Sequence, residues 1–204
     1  MQKSFTRSQK ILLLFALSLV IPILGWQQKN VKAQEVRSNQ IASRNSWRGA
    51  SFPVENFQSY SSPFGYRRSA TGGAGWEFHS GLDLVAPQGS YIRSWWTGKV
   101  LKVADGEACG THIIVQSGPW QHVYCHMQGQ VGTQGNNRYL LDRQGGIVIW
   151  QGQLVAAGAR IGRVGMTGRT TGPHLHWGLK YANNYIDPAI VLRAMYQQQV
   201  SRKP

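Results

Sequence analysis

The stretch TTGPHLHWGL, residues 170–179, sets two of the chain's six histidines one residue apart, behind Gly172-Pro173 and ahead of Trp177. In an extended strand residues i and i+2 point to the same face, so His174 and His176 project together if this segment is a strand. His-x-His is a common short pattern, and its meaning depends on what surrounds it. From about Ser51 to Ile186, short apolar or alternating runs recur between turn signals: SGLDLV at 80–85, YIRSWW at 91–96, TGKVLKVADG at 97–106, HIIVQ at 112–116, HVYCHM at 122–127 and LVAAGARIGRVG at 154–165. Many short strands with Gly-rich turns predict a mainly β, antiparallel, β-sandwich-like domain. Asp187 as N-cap, Pro188 at the first helical position and the apolar pattern of DPAIVLRAMYQQ predict a short C-terminal helix.

Composition agrees. Of 204 residues, 24 are glycine and only 15% are charged, against 42% hydrophobic and 11% aromatic, which excludes a coiled coil and disfavours a helical bundle. Residues 1–33 read as a signal peptide: Lys3, Arg7 and Lys10 precede the apolar run Ile11–Leu24, and Val31 and Ala33 suit cleavage after Ala33. That run has 14 residues and contains Pro22, too short for the roughly 18–20 residues of a membrane span. An uncleaved N-terminal anchor is the competing reading; in both, the rest is exported to a periplasm, wall or extracellular space, with no stable span after signal removal. The segment carries five basic residues and no acid, so its removal takes the net charge from +14 to +9. A basic exported protein suits anionic lipid or an anionic wall polymer, and the absence of a nucleic-acid-binding motif argues against nucleic acid.

Residues 34–50 are polar and aperiodic, and read as a flexible lead-in. The domain is expected over 51–192, followed by a tail at 193–204. Gln128 to Gly152 is Gly- and Gln-rich around the apolar run Ile147–Trp150, and reads as an inserted loop with its own hairpin, placed to border a substrate groove. Cys109 and Cys125 flank the predicted hairpin of residues 111–124, with its turn at Ser117–Trp120. An even cysteine count in an oxidising compartment makes one disulfide the expectation.

The other histidines give His-x-His its context. The same alternation puts His79, Gly81 and Asp83 on one face, with Gly81 leaving open space for a metal, and puts His122, Tyr124 and His126 on one face with Cys125 pointing away. A catalytic zinc typically takes three nitrogen or carboxylate ligands and keeps a fourth position for water. His and Asp from one strand with His from another supply such a set.

These residues resemble the lysostaphin-like (LytM-type) zinc metallopeptidases, which cut peptide bonds in bacterial peptidoglycan. The matching motifs are SSPFGYR at 61–67, HSGLDLVAPQGS at 79–90, GKV at 98–100, VYCHM at 123–127 and GRVGMTGRTTGPHLHWGL at 162–179. The resemblance implies zinc ligands His79, Asp83 and His176, catalytic roles for His126 and His174, and peptidoglycan as the partner. It makes the chain a zinc metalloendopeptidase and peptidoglycan hydrolase, with a wall-binding regulator or an endopeptidase for Gly-rich proteins as alternatives. His112 and His122 match no motif and read as structural or solvent-facing. Arg67 reads as a loop brace, Trp95, Trp96 and Trp177 as core or sheet-face residues, and Gly165, Gly168 and Gly172 as turns at the groove edge. A histidine base must be neutral, so activity is expected to fall on the acid side near pH 6.5.

Overall fold

The computed structural model describes residues 32–42, 46–69, 72, 75–106 and 108–201. The proposed signal segment lies outside these residues, apart from its last two. By its contacts the chain divides at Arg37/Ser38, and the fold below, apart from the first turns of helix α1, belongs to the unit that begins at Ser38. Among the described residues no helix is long and apolar enough to cross a membrane.

The chain is mainly β, as expected, and every strand pairing is antiparallel. Helix α1 covers 32–42. The first strands are β1 (Ser59–Ser62), β2 (Gly65–Arg68), β3 (Trp76–His79), β4 (Gly81–Val85) and β5 (Tyr91–Arg93). Next come β6 (Gly98–Ala104), β7 (His112–Ser117), β8 (Trp120–Cys125), β9 (Gln130–Gln134), β10 (Asn137–Asp142) and β11 (Ile147–Trp150). The chain closes with β12 (Leu154–Val155), β13 (Arg160–Arg163), β14 (His174–Tyr181), β15 (Asn184–Ile186) and α2 (Pro188–Val200). The main sheet runs β1-β4-β14-β8-β7-β6-β12, and β15 also pairs with β14. β9, β10 and β11 form a separate sheet, as do β5 with β13 and β2 with β3.

The opening stretch is a strand at the centre of the main sheet. Leu175, Trp177 and Leu179 are fully buried on one face of β14, and Leu82 and Leu84 of β4 join them. β8 sends Trp120, His122 and Tyr124 to the same core. Four tryptophans meet there: the Trp95 ring centroid lies 5.3 Å from Trp47, 5.4 Å from Trp120 and 5.7 Å from Trp177. Such tilted and edge-to-face packing suits the ring quadrupoles. A polar chain threads this core. The Trp95 amide donates to Tyr124 Oη at 2.7 Å, the hydroxyl meets His122 Nδ1 at 2.6 Å, and His122 Nε2 meets Ser117 Oγ at 2.8 Å. The hairpin turn falls where expected, with Ser117 paired to Trp120 and Gly118 at φ +57°.

The lead-in differs from the reading of 34–50 as flexible. It is helical over 34–42, and Trp47 is only 1% exposed, its indole donating to the Ala42 carbonyl at 2.8 Å. A lone tryptophan in a polar stretch gives no periodic signal, yet its ring completes the aromatic core. The tail at 193–204 also differs, because α2 runs through Val200 with Met195 buried. Gln198 Oε1 accepts from the Trp47 amide at 2.9 Å, and Gln199 donates to the carbonyls of Trp47 and Ala50. As read from the sequence, Asp187 caps the helix, accepting from the Ala189 amide at 2.9 Å.

Full burial pushes His122 down to about 3, so between there and the unfolded value near 6.5 only the unfolded chain takes up its proton. His122 therefore withdraws stability as pH falls below about 6.5, by about 1.4 kcal/mol per pH unit. Urea unfolding at pH 7 and pH 5 is expected to show that loss, and a His122→Gln variant is expected to show a slope reduced by about this amount.

Candidate active site

Strand register brings the first pair together. His176 of β14 is the direct partner of Asp83 on β4. His79 was expected on the strand of Asp83, but it ends β3 in the small β2–β3 sheet, and Ser80 separates it from β4. The two still meet: His79 Nε2 lies 3.0 Å from Asp83 Oδ1 and 2.9 Å from His176 Nδ1, and His176 Nδ1 lies 2.9 Å from Asp83 Oδ1.

Proton counting tests whether this triangle fits a metal. His79 Nδ1 sits 2.7 Å from the Pro63 carbonyl oxygen, so Nδ1 carries the ring proton and Nε2 offers a lone pair. That lone pair faces both a carboxylate oxygen and another imidazole nitrogen. One proton on His176 Nδ1 serves only one of these contacts well, whereas a divalent ion at bond lengths of about 2.0–2.2 Å satisfies all three donors. The residues fit a metal, and His79, Asp83 and His176 can hold it.

The carboxylate is ready for that role. Burial raises the Asp83 pKa, but the His176 and His79 rings beside it outweigh that and hold the group well below the usual carboxylate range. Arg67 was read as a loop brace, and it also holds the Asp83 carboxylate: Nη1 reaches Asp83 Oδ2 at 3.4 Å and Ser62 Oγ, while Nη2 reaches Glu77 at 3.1 Å. Gly81 was expected to leave open space for an ion, but the His176 ring fills that space. A Cβ at Gly81 would stand 2.7 Å from both Cε1 and Nε2 of that ring.

His126 reaches the site by a route that strand alternation does not describe. β8 turns Val123 and Cys125 to the cleft and His122 to the core, so simple alternation would send His126 inward as well. The strand ends at Cys125, and His126 adopts φ +59°. That left-handed turn re-aims the ring into the cleft at a backbone cost of order 1–3 kcal/mol, which its surroundings must hold in place. The His126 amide donates to the Cys109 carbonyl and its own carbonyl accepts from Gly165, both at 2.8 Å. The expected Cys109–Cys125 disulfide is formed, with Cα atoms 4.9 Å apart, and ties the same loop. Contrary to the reading from alternation, Cys125 and His126 both line the cleft, and His122 stands apart from it.

The two candidate catalytic histidines present the same nitrogen. His126 Nδ1 donates to the Thr167 carbonyl at 2.8 Å and His174 Nδ1 to the Gly172 carbonyl at 2.9 Å, so each leaves a bare Nε2. Their rings are 4.8 Å apart, and His174 Nε2 lies 3.5 Å from Asp83 Oδ1. Burial pulls the His126 pKa down to about 4, helped by the charges of His174 and His176 and opposed by the Thr167 hydrogen bond. An acid limb near pH 6.5, as expected from an ordinary histidine, therefore does not belong to His126.

The cleft has a volume of about 500 Å³ and also exposes Arg169, Thr170, His112, Phe78, Lys180 and Tyr185. Reading by motif singled out His112 only as structural and passed over the others. Arg169 pairs with Glu77 at 2.9 Å, and Thr170 Oγ1 lies 3.3 Å from His174 Nδ1. A count of every second residue from His176 would have found Lys180; nothing local marks Glu77. The inserted segment was expected to border the groove, but no described residue of 128–152 lines it. It instead buries Leu140, Ile147 and Ile149 and locks Asp142 onto Arg163 at 2.6 and 2.7 Å.

The model of peptidase family M23 matches residues 77–188, which contain all five histidine and aspartate positions of the site. The chain belongs to peptidase family M23. This is the membership that the sequence motifs implied. It is 34% identical over 110 residues to the peptidoglycan DD-endopeptidase ShyB of Vibrio cholerae, covering 53% of this chain and 22% of that protein. It is 30% identical over 132 residues to the DD-carboxypeptidase/endopeptidase Mpg of Neisseria meningitidis, covering 64% and 26%. Among solved structures, a zinc-containing peptidase from Vibrio cholerae superposes with a TM-score of 0.53 at 26% identity, covering 69% of this chain and 38% of that one. The chain spans about a quarter of the length of the curated relatives it matches.

A methyl group at position 81 must displace the His176 ring or the backbone of β14. Gly81→Ala is expected to lower affinity for a divalent metal by about 10- to 100-fold, read by competition with a chromophoric chelator.

Proposed function

We propose that this chain is an exported zinc metalloendopeptidase that hydrolyses peptide bonds in peptidoglycan stem peptides or cross-bridges. The observation that carries the reading is the convergence of His79 Nε2, Asp83 Oδ1 and His176 Nδ1 within 3.0 Å of one another, beside two histidines whose Nε2 atoms are free to work. Zinc bound by those three residues would supply a Lewis acid that polarises the amide carbonyl and lowers the pKa of its water to about 7.

The chain's own groups do the rest. His126 and His174 share two tasks, taking a proton from the attacking water and donating a hydrogen bond to the developing oxyanion. The carbonyls of Thr167 and Gly172 hold the proton on Nδ1 of both rings, which leaves Nε2 bare for the base, and a ring donates to the oxyanion only once its Nε2 has taken up a proton. Arg67 pairs with the Asp83 carboxylate and orients it. A binding module would need none of this complete constellation, which favours the enzyme over a wall-binding regulator. Relatives named as peptidoglycan DD-endopeptidases make a bond between two D-residues the first to test.

His79→Ala is expected to lose zinc, because two protein ligands hold it poorly, whereas His126→Ala is expected to keep zinc and lose turnover by about 100-fold or more. Metal analysis alongside a cleavage assay separates them, and equal zinc loss in both would show that ligands and catalysts are mislabelled. Mass spectrometry of fragments released from purified peptidoglycan is expected to show peptide-cleaved products with zinc and none with a chelator. Absence of products from several wall types, with zinc bound and the fold intact, would overturn the reading.

A further inference from the structure

The cleft continues beyond the histidines. His174, His176, Gly178 and Lys180 alternate along β14 and all four line it, while Leu175, Trp177 and Leu179 between them face the core. At about 3.3 Å per residue, Lys180 stands about 13 Å past His176 on the same floor. Gly178, between the two, adds no side chain to the floor, and its β8 partner is Val123. An extended peptide backbone can lie along this track.

The Lys180 head group has a fixed place. Its Nζ lies 4.6 Å from the ring centroid of Tyr185, its cross-strand partner on β15. Phe78, which also lines the cleft, packs against Tyr185 at 6.0 Å. A cation held over an aromatic face has lost part of the rotamer freedom that makes surface lysine contacts weak.

Charge accounting separates Lys180 from the other cations. Arg67 is engaged by Glu77 and Asp83, and Arg169 by Glu77. Glu77 and Asp83 are the acids among the described residues that line the cleft, and both are taken. Lys180 forms no ion pair with a carboxylate of the described residues. It offers its charge to something that enters the cleft.

Building on the peptidase reading above, we propose that Lys180, held over Tyr185, is a carboxylate-binding subsite that selects peptides carrying an acidic group about four residues from the bond to be cut. The charge-assisted hydrogen bond to that carboxylate is made in the ground state and kept in the transition state. Its effect therefore falls on binding and KM more than on kcat.

The test compares a peptidoglycan-derived muropeptide dimer in free-acid form with the same dimer after full amidation of its carboxylates. Affinity for the full-length chain is measured by calorimetry under chelator, and cleavage is measured with zinc. The free-acid dimer is expected to bind about two- to fivefold more tightly and to be cut with a correspondingly lower KM. Lys180→Gln is expected to erase the difference, Lys180→Arg to retain it and Lys180→Glu to reverse it, with circular dichroism confirming the fold of each. Equal affinity for the two dimers, or a preference that survives Lys180→Gln, would overturn the subsite. Cleavage of neither dimer, with the affinity preference intact and lost in Lys180→Gln, would support the subsite and overturn the peptidase reading instead.

Discussion

Two imidazole nitrogens and a carboxylate oxygen, held within 3.0 Å of one another in a buried pocket, set the constraint around which the cleft is organised. Atoms with facing lone pairs do not stay that close in low dielectric without a compensating positive charge. The fold contributes rigidity to hold them so. β4 and β14 are locked in register between further strands, and Pro63 fixes the His79 ring through its carbonyl. The absence of a side chain at Gly81 lets the His176 ring lie against β4. Change any of these and the three atoms no longer converge.

The same device recurs across the cleft. Four of the five histidine rings that line the cleft, those of His79, His112, His126 and His174, place Nδ1 against a backbone carbonyl. His176 alone turns Nδ1 inward. Backbone carbonyls suit this task because they do not titrate and, in a well-packed loop, they do not rotate. The loop bearing Thr167 is itself pinned: Thr167 Oγ1 accepts from the Thr111 amide and donates to the Met127 carbonyl, and Gly168, at φ +73°, presses against Gly110. The disulfide closes the other side of that contact. His126 keeps its left-handed backbone because the segments on both sides are held.

The small β9–β10–β11 sheet has a structural part to play. Asp142 holds the Arg163 side chain, and the Arg163 carbonyl accepts from the Gln128 amide two residues after His126. The segment thus braces the strand beside the His126 turn, although its described residues do not line the cleft. Hydrogen bonding to Arg163 also outweighs burial and keeps the Asp142 carboxylate below its ordinary range, so the brace persists at neutral pH.

The sequence by itself determined the class of the fold and pointed to the residues that the fold gathers in one cleft. Alternation in short runs between glycines specifies antiparallel strands, because the period of two is a property of the backbone that any strand must obey. Resemblance to family motifs singled out His79, Asp83, His126, His174 and His176, and all five line the cleft. The even cysteine pair flanking a hairpin named its own bridge. Tertiary structure decided the rest. It decided that His79 and Asp83 come from different sheets, and that Gly81 accommodates a ring. His126 faces the cleft through a broken strand, an outcome of loop packing that no period encodes. Trp47 is core although its neighbours in sequence are polar, because its burial depends on rings contributed by residues 95, 120 and 177. Alternation could place Lys180 on the face of His176, but only the folded cleft shows which cations already have acids. Distances between residues far apart in the chain fix that pairing, and local sequence carries no record of them.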